Sequence, residues 1–376
     1  MKVTVSLDAF PRRLSLTLLI VVVASCSRKP PPDFAPDPGL VTRIRGIEFS
    51  SPTVRACPGQ VIPTTYLAVL DDGARIPFAR SYDKDRPPQL HVVFLDRISA
   101  QARSQEDGDW VTDADPLRSL STGYRLEVAL RHKPDVRGNK VVPPSYECMP
   151  HSFAFSGTTG ETGLSGGDGP DVTVRLGILR SPFYDRMIVA GVEVGQAPPY
   201  YVFYDAANVP PADWLVLETR GGRGGRGANG ATGTEGAAGR SGCPGERGGQ
   251  GGRGGNGGAG GPGGRGGRVT ILAPQEEPFL AGIVDVQNPG GEGGPGGAAG
   301  NGGEGGAGGA AERPNDSQCR PGVNGPAGEK GNAGPVGSAG RGGPRAQVIT
   351  VPARDVFGNR VPPQLAELLW PVAERR

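Results

Sequence analysis

Asp107, Asp109, Asp113 and Asp115 fall within the single stretch QEDGDWVTDADP. Oxygen-rich loops of this kind can hold Ca²⁺, a hard cation that takes about six to eight oxygen ligands. The plainer reading is a solvated acidic loop. Cys148-Met-Pro-His151 has the spacing of half a zinc site, but no second close pair completes four ligands. His91, His132 and His151 are scattered and read as strand or loop residues. Ser165 sits in a GxSxG match, Gly163 to Gly167, yet inside a run of glycine triplets rather than at a strand-to-helix turn. GxGxxG matches recur only because glycine recurs, and none opens a helix after a strand. Arg220, Arg223 and Arg226 form an RGG-type run, but no aromatic residue lies between Trp214 and Phe279 to stack on bases. The expectation is a non-enzymatic protein with no catalytic set, no cofactor and no nucleic-acid partner.

The elements around these residues are of two kinds. Of 65 Gly residues, 48 lie between Gly221 and Gly343, so one part of the chain has ordinary composition and the other is dominated by glycine. The net charge of +2 gives no whole-chain attraction to a polyanion. Within 41–156 short apolar runs alternate with turn residues: TRIRGIEF, VIPTTYLAVL, QLHVVFLDRI, GYRLEVALRH and SFAFS. Their length and β-branched content predict strands, with PDVRGN as a turn and LDRISAQARSQE as one short helix. A second strand-rich region follows at 171–219. The fold class expected is all-β, with an N-terminal immunoglobulin-like β-sandwich region before the glycine repeats.

The chain opens with Lys2, Arg12 and Arg13 ahead of the apolar run LSLTLLIVVV, too short for a membrane span and suited to a signal-peptide core. That run leads into Val23-Ala24-Ser25-Cys26, which resembles the lipobox of bacterial lipoproteins. The resemblance implies cleavage before Cys26, a diacylglycerol on its sulfur, and, with Ser27 next, transfer to the outer membrane. Residues 27–40, SRKPPPDFAPDPGL, then read as a stiff tether. With Cys26 carrying lipid, Cys57, Cys148, Cys243 and Cys319 remain, an even set suited to an oxidising compartment. The simplest pairing is Cys57–Cys148 and Cys243–Cys319.

Glycine stands at every third position from Gly221 to Gly266, from Gly291 to Gly309 and from Gly322 to Gly343, with a short run from Gly157 to Gly169. Three is the period of a polyproline-II-type helix, which rises about 3.1 Å per residue. GVNGPAGEKGNAGPVGSAG resembles bacterial collagen-like sequence, a reading that implies a homotrimer. The low proline content of 221–268, only Pro244 and Pro262, favours instead one chain stacking its own threads as a polyglycine-II bundle. Stretches of the form GGxGGxGG suit threads with several neighbours. A strand-like segment bounds each long tract. Cys243-Pro244 and the AAERPNDSQCRP loop divide the tracts into four threads of equal length, about 68 Å each. Both reversals then meet at one tip, which brings Cys243 to Cys319. A domain division follows: signal peptide 1–25, tether 26–40, β-sandwich 41–156, short triplet segment 157–170, second β-rich region 171–219, repeat bundle 220–345 with strands inserted at 269–288, and a terminal strand and helix at 346–376. Taken with the lipoprotein resemblance, this implies an anchored envelope protein serving as a structural or adhesive stalk, or as a spacer for β domains that bind a glycan or protein.

Overall fold

The computed structural model describes residues 29–207, 214–315, 317–358 and 361–369. The signal peptide, Cys26 and Trp370 lie outside the described residues. The described chain is all-β in character, with two short α-helices. The first, α1 (Pro38–Arg43), begins with the Asp37 carboxylate accepting the Leu40 amide at 2.7 Å and a proline at its first position.

Nine strands build the N-terminal part: β1 (Ile44–Ser50), β2 (Val61–Ile62), β3 (Thr65–Leu70), β4 (Arg75–Pro77), β5 (Leu95–Ile98), β6 (Ala102–Ser104), β7 (Trp110–Thr112), β8 (Tyr124–Leu130) and β9 (Lys133–Val142). They form three three-stranded sheets, ordered β1-β3-β4, β2-β7-β6 and β5-β8-β9. Strand β8 shows why they close on one core. Tyr124, Leu126, Val128 and Leu130 point inward, while Arg125 and Glu127 face out. Ile44, Ile62, Tyr66, Leu90 and Trp110 join them in full burial.

Two expectations fail here. The helix expected over LDRISAQARSQE is instead β5, a turn and β6, because Ser99 Oγ accepts the Gln101 amide and so offers the backbone a local alternative to helix. PDVRGN is part of β9 rather than a turn. Its proline and glycine are tolerated because β9 is an edge strand, and Gly138 leaves room for the Ile47 carbonyl, 2.7 Å from where a Cβ would stand.

The remaining strands are β10 (Ser152–Ser156), β11 (Val172–Ser181), β12 (Tyr184–Val194), β13 (Tyr200–Asp205), β14 (Leu215–Arg220), β15 (Val269–Pro274), β16 (Val284–Gln287) and β17 (Gln347–Val351). One sheet has the order β10-β14-β16 and is entirely parallel. The other has the order β13-β12-β11-β15-β17. Strand β10, grouped on sequence with the first region, therefore belongs to this second architecture. The two sheets share one core, with Leu215 and Leu217 from the first and Val174, Leu176, Val269 and Ile271 from the second. Leu120, Tyr146 and Met149 reach into it from the N-terminal part. Helix α2 (Pro363–Ala366) follows the last strand and buries Leu365.

The strands reveal a threefold repeat. β10, β14 and β16 each run into a glycine thread, and a returning thread runs into β11, β15 and β17 respectively. All outgoing strands lie in one sheet, and the three returning strands lie together in the other. Residues 157–170 are thus a shorter copy of the two long hairpins. Parallel strands need a long connection, and here each connection includes a glycine hairpin that carries the chain from one sheet to the other.

The threads bond to one another in register. Every third amide from Gly221 to Gly242 donates to a carbonyl between Pro289 and Ala310, parallel. The thread from Gly245 to Gly267 donates antiparallel to the first, as in Gly255 to Ala231 at 2.7 Å, and parallel to the fourth, as in Gly254 to Glu329 at 2.9 Å. The third thread donates to the second, and the fourth to the third. The second and third threads are therefore central, and they carry two glycines in nearly every triplet. The first and fourth lie outside and carry mostly one. The exception on the first thread is Gly221-Gly222 and Gly224-Gly225, where the short hairpin packs: a Cβ on Gly222 would stand 2.0 Å from the Thr158 carbonyl, and one on Gly225 would stand 1.5 Å from that of Glu161. Glycine count per triplet records how many chains approach each thread.

Candidate functional site

The acidic stretch folds as a turn between β6 and β7, which holds Asp107 and Asp109, then β7 itself, then a loop that holds Asp113 and Asp115. Asp109 is buried; its Oδ1 accepts the Thr64 amide at 2.9 Å and meets the Arg80 guanidinium at 2.8 Å. The Tyr66 hydroxyl donates to the Gly108 carbonyl at 2.7 Å and accepts from Trp110 Nε1 at 2.8 Å. Burial pushes the Tyr66 phenol pKa up. The same guanidinium also donates to the Thr64 carbonyl. Asp107 accepts the Asp109 amide, Asp113 accepts the Asp115 amide and pairs with Arg118, and Asp115 caps the following 3-10 turn through the Leu117 amide. The four aspartates proposed for Ca²⁺ thus each hold a separate piece of backbone or a separate arginine. Among the described residues no group of three or more His, Cys, Asp or Glu could hold a metal ion.

Beside this turn lies a cavity of about 320 Å³ lined by Lys29, Arg80, His91, Val93, Arg97 and Asp107, among others. The tether supplies one wall. Phe34 packs edge-on to Tyr82 and against Phe94, both at 5.0 Å between ring centroids, and edge-on to His91 at 6.4 Å. This holds Lys29 and Pro30 at the cavity.

His91 is 4% exposed. Its Nδ1 accepts the Val93 amide at 3.1 Å, so in the neutral ring the proton resides on Nε2. Burial lowers the His91 pKa, and the Arg80 backbone opposes that shift. Arg97 donates through one terminal nitrogen to the Gln105 carbonyl, and its Nε has no partner. Burial lowers the Arg97 pKa, and Tyr66 and Asp107 oppose that shift. Among the described residues, two of the five buried side-chain polar atoms without a partner therefore belong to residues lining one cavity, though both atoms are themselves fully buried. Sequence reasoning missed this site. Arg80, His91 and Arg97 match no motif, and only the fold gathers them.

Both expected cysteine pairs are disulfides, Cys57–Cys148 and Cys243–Cys319. Cys148 is thereby unavailable for the CxxH pairing with His151, whose ring stacks 6.4 Å from Trp214 instead. His132 packs against Phe94. Ser165 lies in the short hairpin, where its neighbour Leu164 accepts from Gly225. Among the described residues no helix is long and apolar enough to cross a membrane. No known protein family, no curated protein and no solved structure matches the chain.

Proposed function

We propose that the protein is a lipid-anchored component of a bacterial cell envelope, held by Cys26 in the outer membrane, whose glycine threads form a polyglycine-II-type rod that acts as a structural or adhesive stalk. The supporting observation is the uninterrupted ladder of glycine amides that joins four threads between the strands at the base and the Cys243–Cys319 bridge at the tip. Each thread has about 22 residues, which corresponds to roughly 68 Å at the rise of this helix type. Interior positions accept no side chain, so the rod resists bending through packing as well as bonding. The chain satisfies its own triplet amides, which favours a monomeric bundle over a collagen-like homotrimer. Alternation in the N-terminal strands supports reading that part as an immunoglobulin-like sandwich. No catalytic constellation enters this reading.

The test combines shape and location. Small-angle scattering and sedimentation of the mature chain should give an elongated monomer, and Cys26→Ser should release the protein from the membrane fraction. A trimer held by interchain Cys243–Cys319 bonds would reject the bundle, and unchanged membrane association in Cys26→Ser would reject the anchor.

A second reading is a surface binding module, with the β domains contacting a glycan or protein and the rod as spacer. The cavity beside the tether, lined by charged side chains, favours it.

A further inference from the structure

The short hairpin covers the rod only near its base. Its returning arm lies in the groove between the first and second threads. There Gly166 and Gly169 donate to the Pro262 and Arg265 carbonyls at 2.9 and 2.8 Å, and Leu164 and Gly167 accept from Gly225 and Gly222 at 2.9 and 2.7 Å. The Asp168 and Asp171 carboxylates accept the Arg265 and Arg268 amides at 2.8 and 3.2 Å. The hairpin turns back at Gly163, and the groove continues towards the tip without it. In that stretch the same row of donors, the amides of Ala228, Ala231, Thr234 and Ala237, has no partner among the described residues. The matching carbonyls of Ala259, Asn256, Arg253 and Gln250 have none either. Burial of the groove floor follows the hairpin: Gly261 and Gly264 are buried beneath it, whereas Gly249, Gly252, Gly255 and Gly258 are only half-buried. A Cβ on Gly261 would stand 1.8 Å from the Leu164 carbonyl, while the nearest neighbours of one on Gly255 all belong to the first thread. Side chains of the second thread leave the groove open. Arg253 pairs with Glu329 at 4.0 Å and Asn256 accepts the Asn332 amide, both on the fourth thread.

We propose that this distal groove binds one acidic polypeptide from another molecule, in polyproline-II conformation with glycine at every third position. The proposal rests on the bundle reading and names a partner for the rod. An unpaired row of amides and carbonyls is a template for a further chain, as an edge strand is. The arm seated at the base specifies what fits. It runs parallel to the second thread and antiparallel to the first. Its donors are glycines, since a Cβ on Gly166 would stand 2.1 Å from the Gly222 carbonyl. Pro170 occupies the next position, where a fixed φ preorganises this helix. Asp168 and Asp171 occupy the third, so the pattern is Gly-x-Asp. The groove segment from Arg226 to Gly261 carries four arginines and two glutamates, a net positive charge that complements such a partner. Only one thread fits. A Cβ on Gly222 would stand 2.0 Å from the Thr158 carbonyl in the outgoing arm, and Ala228, Ala231, Thr234 and Ala237 all carry that Cβ. Four donors and four acceptors match about twelve residues, or about 37 Å at the rise of this helix type. The chain's own long triplet tracts already lie in the rod, so the occupant comes from elsewhere.

The experiment is calorimetric titration of the mature chain at fixed ionic strength with three end-blocked peptides, each of four triplets: Gly-Pro-Asp, Ala-Pro-Asp and Gly-Pro-Lys. The Gly-Pro-Asp peptide is expected to bind once per chain, and the other two at least tenfold more weakly. Ala231→Pro combined with Ala237→Pro removes two groove donors and no hydrogen bond that the chain makes for itself. This double variant is expected to weaken the binding at least tenfold. If it does not fold, the comparison of Gly-Pro-Asp with Ala-Pro-Asp on the wild-type chain decides the matter. Failure of Gly-Pro-Asp to bind, equal binding of either other peptide, or binding unchanged in the folded double variant would overturn the proposal. So would a dimer of the chain that the double variant dissociates, since the occupant would then be a second copy. The scattering profile of the same chain reports on the rod separately: an elongated monomer that binds no peptide rejects the groove and leaves the stalk standing.

Discussion

Cys243 and Cys319, 76 positions apart in the chain, are joined at the far tip of the threads with their Cα atoms 4.5 Å apart. The bond ties the reversal of one long hairpin to that of the other. Around it the Gly242 amide donates to Ala310, and the Glu312 amide donates to Gly242. Removing it by Cys243→Ser with Cys319→Ser should cost about 2–4 kcal/mol, mainly by freeing the unfolded chain. Denaturant titration of the double variant against wild type measures this. Peptide mapping without reductant should recover the linkage within a single chain.

Crowding between threads should make alanine substitution sharply position-dependent. A Cβ on Gly251 would stand 2.1 Å from the Gly303 carbonyl, whereas one on Gly342 would meet nothing nearer than 3.6 Å. Gly251→Ala should therefore cost about 1–3 kcal/mol through overpacking against backbone that has no rotamer to change. Gly342→Ala should stay within about 0.5 kcal/mol. Melting temperatures of the two variants give the comparison, and equal shifts would rule out the close approach.

The thread register was legible because the period of three is a property of single residues, and because glycine pairs mark the central threads. The tip was legible for the same reason: equal arm lengths force Cys243 and Cys319 together. The short hairpin at 157–170 was visible as a triplet run but not as a third copy of the repeat, since that role appears only once β10 pairs with β14. β9 was hidden by Pro134 and Gly138, which signal turns unless a strand lies at an edge. The cavity was hidden altogether. Arg80, His91 and Arg97 come from separate local structures, and only the folding of those segments onto one another brings them to one cavity.

Buried phenols should make the fold sensitive to alkali. Burial raises the pKa of Tyr66, Tyr124, Tyr146 and Tyr184, and pushes Tyr201 up to about 12. The folded protein therefore keeps these protons after the unfolded chain has lost them, near pH 10. The stability they confer is complete below that value and declines as the pH rises from about 10 towards 12. Tyr201, pushed up to about 12, contributes a slope approaching about 1.4 kcal/mol per pH unit in that window, and the other four phenols act in the same direction. Tyrosinate absorbance should rise late and together with loss of structure; early, independent ionisation of all tyrosines would contradict the burial.

Phe357 is 4% exposed and lies over two glycines of the five-stranded sheet. A Cβ on Gly177 would stand 2.9 Å from its ring, and one on Gly191 would stand 3.5 Å away. Beside it Arg175 donates to the Val356 carbonyl at 2.7 Å and pairs with the buried Glu193 at 3.4 Å. These contacts cover the outer face of β12, which explains why Met187 to Glu193 are buried without alternation. Phe357→Ala should cost about 3–5 kcal/mol. Gly177→Ala should also destabilise, because it forces the ring outward. If the two act through one contact, the added methyl occupies space that the lost ring vacates. The double variant should then be more stable than the sum of the single losses predicts, by more than the roughly 0.5 kcal/mol that marks independence. Thermal unfolding of the four proteins in this cycle tests the docking of the C-terminal segment directly, since strict additivity would place Phe357 elsewhere.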